Sequence, residues 1–276
     1  MKKGYINCNI WRNPATAFAT SDEYIIKVGT NQEIEELLCG EGAEIIDLKG
    51  MFVIPGFVDS HMHLAELGMY LSNVVLDDCH SNEEVITKVK EKLATTKAGE
   101  WIIGRGYNEE SFPDCQKPTR QMLDEISMEV PIALTRACGH VLSANTAALK
   151  AAGITEHTKI EGGNIDCENG FVEENALNNI HNAYPQPDEE KIKEYIRIGA
   201  SYANQFGVTT VGSDDFLAVA HDYKPVLRAF ESLAYKQDMT VRVNEQCEFN
   251  NPKEFSKFLD DGYTFDVGDD YFRIGP

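Results

Sequence analysis

Residues 51–64 read MFVIPGFVDSHMHL. Its first eight residues are apolar apart from the Pro55-Gly56 break, the pattern of a strand buried on both faces. His61-Met62-His63 follows closely. Side chains on a strand alternate, so His61 and His63 face one way and Met62 the other. Two imidazoles on one face can converge on a cation, and α/β barrels place their catalytic groups at the C-terminal ends of buried strands. Asp59 points to the same side, where it could orient an imidazole. The competing reading is a packed or surface histidine pair without a ligand.

Outward from this stretch the chain changes character. Upstream, GYINCNI, ATAFA, YIIKVG and AEIIDL are β-rich runs, expected to form a small β-domain over residues 1–54. One helix fits NQEIEELLCG, with Asn31 as its cap and Gly40 as its stop. Downstream, residues 55–276 are expected to form the second domain. From Gly207 onward, strands at 208–212, 240–244 and 271–275 alternate with the amphipathic stretches YKPVLRAFESLAYKQ and PKEFSKFLDDG. That order is the βα alternation of a parallel sheet or barrel.

Residues 65–206 read as a large helical insertion between the first and second barrel strands, with WIIGRG and PIALTR as strand-like segments. SNEEVITKVKEKLATT carries a Ser81/Asn82 cap with Glu84 in capping-box position. DEEKIKEYIRIGASYANQFG places Ile192, Tyr195, Ile196, Gly199 and Tyr202 on one side and ends at Gly207.

Composition narrows the function. The chain has 276 residues, 42% of them hydrophobic, with 25 Lys+Arg against 45 Asp+Glu and a net charge of −20. This is a core-forming globular profile, and its acidity argues against nucleic acid and anionic membrane surfaces as partners. The seven cysteines are scattered, with no C-x-x-C pair. Reduced thiols and a cytoplasmic location are expected. Gly104-Arg105-Gly106 lacks the third glycine of a dinucleotide fingerprint.

A run of further motifs carries a family resemblance: PGFVDSHMHL, WIIGRGYNEESF, KPTRQMLDEI, PIALTRACGHVLSANTAAL, EGGNIDCENG, FVEENAL, FGVTTVGSDDF and GDDYFRIGP. From about residue 4 onward the chain resembles metal-dependent amidohydrolases. The similar branch is the one that contains N-substituted-formamide-deformylase-like proteins (amidohydrolase family 3). The resemblance implies an α/β fold: a distorted TIM-type (β/α)8 barrel, of which this chain holds the front part, behind a small sandwich-like β-domain. It implies hydrolysis of a carbon–nitrogen bond (amide, formamide or cyclic amide) in a small molecule by metal-activated water. The implied cofactor is one or two divalent ions, zinc in the first instance, with His61 and His63 as the first-strand ligands. The family's lysine on the fourth strand, its histidines ending the fifth and sixth and its aspartate ending the eighth have no counterpart here. No catalytic residue is therefore assigned. The alternative expectation is a truncated, catalytically silent fragment or pseudoenzyme, and homo-oligomers are compatible with either reading.

Other residues are candidates for the substrate pocket. His140, in ACGHVLSAN, lies in a stretch without charged residues between Arg136 and Lys150. Trp101 and Arg105, in WIIGRG, would shape a pocket wall. Glu174 and the pair Asp214/Asp215 could reach the site, the pair because it ends a barrel-type strand. Asn145 reads as a helix cap, Cys138 as a buried, inert thiol and Asp269/Asp270 as a solvated turn.

Overall fold

The computed structural model describes residues 1–40 and 42–275. Glu41 and Pro276, the latter closing the GDDYFRIGP motif, lie outside the described residues. The chain divides into two compact units, Met1–Phe57 and Val58–Pro276.

The first unit contains β1 (Lys2–Ile6), β2 (Asn9–Ile10), β3 (Ala17–Ser21), β4 (Tyr24–Gly29), α1 (Asn31–Leu38), β5 (Glu44–Asp47) and β6 (Phe52–Val53). One sheet has the order β4-β3-β1-β5, and β2 pairs with β6. Ile34 and Leu38 of α1 bury themselves with Ala17 and Ala19 of β3. The helix is capped one residue earlier than expected, by Thr30. The Thr30 hydroxyl accepts from the Glu33 amide, and the Glu33 carboxylate accepts from the Thr30 amide. This reciprocal box satisfies two otherwise orphaned donors. Asn31 bonds sideways to Asn7 instead.

Strand β7 (Phe57–Met62) starts on the last residue of the first unit and opens the second, which goes on with α2 (Leu64–Ser72), β8 (Val74–Val75), α3 (Asn82–Leu93), β9 (Ile102–Tyr107), α4 (Arg120–Asp124), β10 (Ile132–Arg136) and β11 (Val141–Ala144). It continues through α5 (Thr146–Ala151), β12 (Gly163–Asp166), β13 (Phe171–Glu174), α6 (Leu177–Ala183) and α7 (Glu189–Gln205). Last come β14 (Val208–Ser213), α8 (Tyr223–Tyr235), β15 (Arg242–Glu245), α9 (Pro252–Asp260) and β16 (Phe272–Ile274). Two sheets result, ordered β12-β13-β11-β10-β9-β8 and β16-β15-β14-β7. In the second, β14, β15 and β16 are parallel, the α/β alternation expected from Gly207 onward.

Two expectations need correction. Residues 65–206 are not a helical insertion alone, since they carry the whole six-stranded sheet. Apolar side chains from that sheet and its helices fill two cores, one around Leu134 and Val85 and one around Leu142 and Ile180. The apolar run 51–58 is not a doubly buried strand either. Pro55-Gly56 splits it into β6 and β7, and Phe57 and Val58 are 53% and 68% exposed. Burial on both faces needs neighbours on both sides, and β7 stands at the edge of its sheet.

The placement of α2 matters most for the site, because His63 is its N-cap. Gly68 and Gly199 let α2 and α7 touch backbone to backbone. A Cβ on Gly68 would stand 1.8 Å from the Tyr195 carbonyl oxygen, and one on Gly199 would stand 2.2 Å from that of Leu64. Only glycine permits this approach. Asp188 caps α7, and Gly207, at φ 76°, ends it.

Candidate metal centre and the strand ends around it

His61 and His63 lie side by side as strand alternation requires, with ring centroids 5.7 Å apart and planes inclined by 73°. Met62, on the opposite face, packs against the core of this unit. The Nδ1 of His63 bonds to the backbone carbonyl of Asp214. A carbonyl can only accept, so Nδ1 carries the hydrogen and the Nε2 lone pair is left for a ligand. This is the arrangement by which a second partner fixes the tautomer of a metal-binding imidazole. Asp59 does not orient a ring: its carboxylate accepts from the His61 backbone amide at 3.1 Å.

The ends of β14 and β15 hold this corner together. The Asp214 amide donates to the Met62 carbonyl at 3.0 Å. The Ser213 hydroxyl accepts from the Leu64 amide at 2.9 Å and donates to Asp215 at 2.6 Å. Asp215 is wholly buried and receives the amides of Ala65, at 2.9 and 3.0 Å, and Glu66, at 3.1 Å. A carboxylate thus caps the first turn of α2, where the helix dipole favours negative charge. Glu245, ending β15, accepts from the Asp215 amide at 2.8 Å. Its second oxygen is buried without a partner.

Burial pushes the Asp215 carboxyl above its ordinary range, with Ser213 and the α2 amides pulling the other way. Burial also pushes Glu245 well above the usual carboxylate range, and the neighbouring Asp215 charge adds to it. Two buried acids in contact cannot both ionise cheaply. Through the Ala65 and Glu66 amides Asp215 positions α2. Neither Ser213 nor Glu245 stood out in the sequence. The available signal was an acid or hydroxyl as the last residue of an apolar strand.

The remaining candidates fall elsewhere. His140 and Glu174 pair with each other at 3.1 Å on the surface. Trp101 borders a cavity of about 460 Å³ with Ser72, Lys97, Pro185 and Tyr195, and neither histidine of the pair lines it. Arg105 is exposed at the end of β9. Asn145 caps α5 through the Ala148 amide at 2.9 Å. Cys138 is exposed, not buried. Its slight burial raises the thiol, but Arg136 and the amides of His140 and Val141 outweigh that and hold it below the ordinary value.

As a donor set for a divalent ion, the pair fits one side of a site: two imidazoles, one already oriented. Zinc centres commonly use three protein ligands or more. Among the described residues no group of three or more His, Cys, Asp or Glu converges to hold a metal ion.

Comparison with known proteins decides the family. A family model described as "Amidohydrolase family" matches residues 44–275. The chain belongs to the amidohydrolase family. It is 30% identical over 213 residues to the N-substituted formamide deformylase of Arthrobacter pascens, covering 72% of this chain and 39% of that protein. It is 31% identical over 203 residues to the protein LONG AFTER FAR-RED 3 of Arabidopsis thaliana, covering 71% and 34%. Among solved structures, an uncharacterized metal-dependent hydrolase from Pyrococcus horikoshii superposes with a TM-score of 0.74 at 26% identity. That match covers 99% of this chain and 53% of the other. The chain spans between a third and a half of the length of such curated relatives.

Proposed function

We propose that this amidohydrolase-family chain belongs to a metal-dependent hydrolase that cleaves a carbon–nitrogen bond in a small molecule: an amide, a formamide or a cyclic amide. The observation that carries the reading is the His63 ring, fixed through Nδ1 by the Asp214 carbonyl with Nε2 left free beside His61. The named activities of the deformylase and of the Pyrococcus hydrolase agree with it. In this reading β7, β14, β15 and β16 are the first four strands of a distorted (β/α)8 barrel. The protein is cytoplasmic, and the ion is zinc.

His61 and His63 would hold the ion, which would lower the pKa of a bound water and polarise the scissile carbonyl. The chain's own contribution is preorganisation. The Asp214 carbonyl sets the tautomer of His63, and Ser213 and Asp215 lock the turn that follows. With a formamide, water adds to the formyl carbon and the C–N bond breaks. The amine takes a proton as it leaves, and the products are formate and the amine.

The test is elemental analysis of the purified chain beside the double variant His61→Ala/His63→Ala. Metal content should fall about tenfold or more, since loss of ligands removes most of the affinity. Unchanged content removes the ligand assignment. Formate release from an N-substituted formamide tests the reaction itself. The two-imidazole donor set favours a second reading, a catalytically silent chain, and metal retention without formate release would select it.

A further inference from the structure

Trp101, Ile103 and Arg105 alternate along one face of β9, while Ile102, Gly104 and Gly106 turn to the buried side. The ring of Tyr184 meets Trp101 edge-on with centroids 5.2 Å apart, and His181 follows at 5.5 Å from Tyr184. At the far end of the strand, Nη2 of Arg105 lies 3.7 Å from where a Cβ on Gly139 would stand.

Topology brings these groups to one edge. Strands β8, β9 and β10 are parallel neighbours, so Asp77, Arg105 and Gly139 all sit at or just beyond their C-terminal ends. Open α/β sheets bind ligands outside that edge. Asp77 lies against Gly106 and accepts from the Tyr70 hydroxyl of α2, so it is engaged elsewhere.

Charge singles out Arg105. Among the described residues its side chain makes no ion pair and no hydrogen bond, in a chain with 45 acidic residues against 25 basic. Its charge acts on Tyr70, whose hydroxyl donates to Asp77, and on another potential cation, His181, whose pKa is lowered by burial and then by the Arg105 charge. A guanidinium without a bonded carboxylate presents a donor fork matched to one.

We propose that Arg105, with His181 beside it, recognises the carboxylate of a small organic acid, the rings of Tyr184 and Trp101 receiving the adjoining apolar part. The assignment rests on the hydrolase reading only for its purpose, which is to select substrates that bear a carboxylate.

Benzoate and benzyl alcohol are suitable probes, because they share a ring, differ in charge and carry no C–N bond to cleave. Each is titrated into the full chain and followed by amide chemical shifts in NMR. Benzoate should shift residues around 105, 139 and 181, and benzyl alcohol should bind at least tenfold more weakly. Arg105→Gln should weaken benzoate about tenfold or more, and Arg105→Lys, which keeps the charge but not the fork, should fall between. Equal binding of the two probes, or unchanged benzoate affinity in Arg105→Gln, overturns the proposal. His61→Ala/His63→Ala should bind benzoate like the unaltered chain. Benzoate binding without formate release would then fell the hydrolase reading and leave the carboxylate site standing.

Discussion

Strands β7 and β9 both end in residues with chemistry to offer, and they are held in opposite ways. Strand β9 is flanked by β8 and β10, and Ile102, Gly104, Gly106 and Tyr107 are buried. Apolar packing fixes where Arg105 emerges. Strand β7 has its neighbour only on the β14 side, and its first residues are exposed. Its end is fixed by polar groups instead: the Asp214 carbonyl on His63, the Ser213 hydroxyl on the Leu64 amide, and the Asp215 carboxylate on the Ala65 and Glu66 amides. A site can thus be rigid at a sheet edge if the following strands reach across to it.

The strongest test of this contrast is in the six-stranded sheet. Leu134 is fully buried there, and Leu134→Ala should cost about 2–5 kcal/mol in urea unfolding, from lost transfer energy plus the cavity left behind. A cost below about 1 kcal/mol would mean that the sheet does not carry the packing ascribed to it. At the β7 corner, Asp215→Ala should cost about 2 kcal/mol, since it strips buried amides of their acceptor. It should also weaken metal retention by the histidine pair. A variant that keeps both stability and metal would show that β7 needs no polar anchor.

What could be read beforehand divides along the same line. The histidine pair and the Asn145 cap were legible because they depend on period-two alternation and on a three-residue reach. The α1 start was misplaced by one residue because Thr30 and Asn31 are both good caps, and only the reach of Glu33 decides between them. The exposure of Phe57 and Val58 was not legible, since an apolar run says nothing about which neighbours arrive. Nor was the Asp215–Glu245 contact, which joins residues 30 positions apart through the register of β14 against β15. Cys138 was misjudged for the same reason: the turn between β10 and β11 opens it to solvent.

The buried acids add a pH dependence of smaller size. In the folded chain Asp215 and Glu245 bind protons more tightly than ordinary carboxylates do. The native state therefore holds more protons than the unfolded one between the ordinary and the raised values. Stability contributed by these groups is fully present below the ordinary carboxylate range and is lost as pH rises through the window. Glu245→Gln keeps an oxygen for the Asp215 amide and removes the ionisable group. Its unfolding free energy should vary less with pH than that of the unaltered chain and should exceed it at the alkaline end. A variant with an unchanged pH slope would mean that Glu245 is not the group responsible.

The smallest effect on stability should come from β7 itself. Phe57 and Val58 are already in water, so Phe57→Ser with Val58→Thr should change the unfolding free energy by no more than about 0.5 kcal/mol. Its consequence should be in association. An edge strand with exposed apolar side chains is a template for pairing with another copy. The unaltered chain should accordingly sediment with a concentration-dependent mass, and the double variant should shift towards monomer. If both sediment as monomers with the same stability, the edge is protected by something other than its composition. The contrast with β9 would then rest on hydrogen bonding alone, and Asp214, Ser213 and Asp215 would have to account for the whole of the order at the histidine pair.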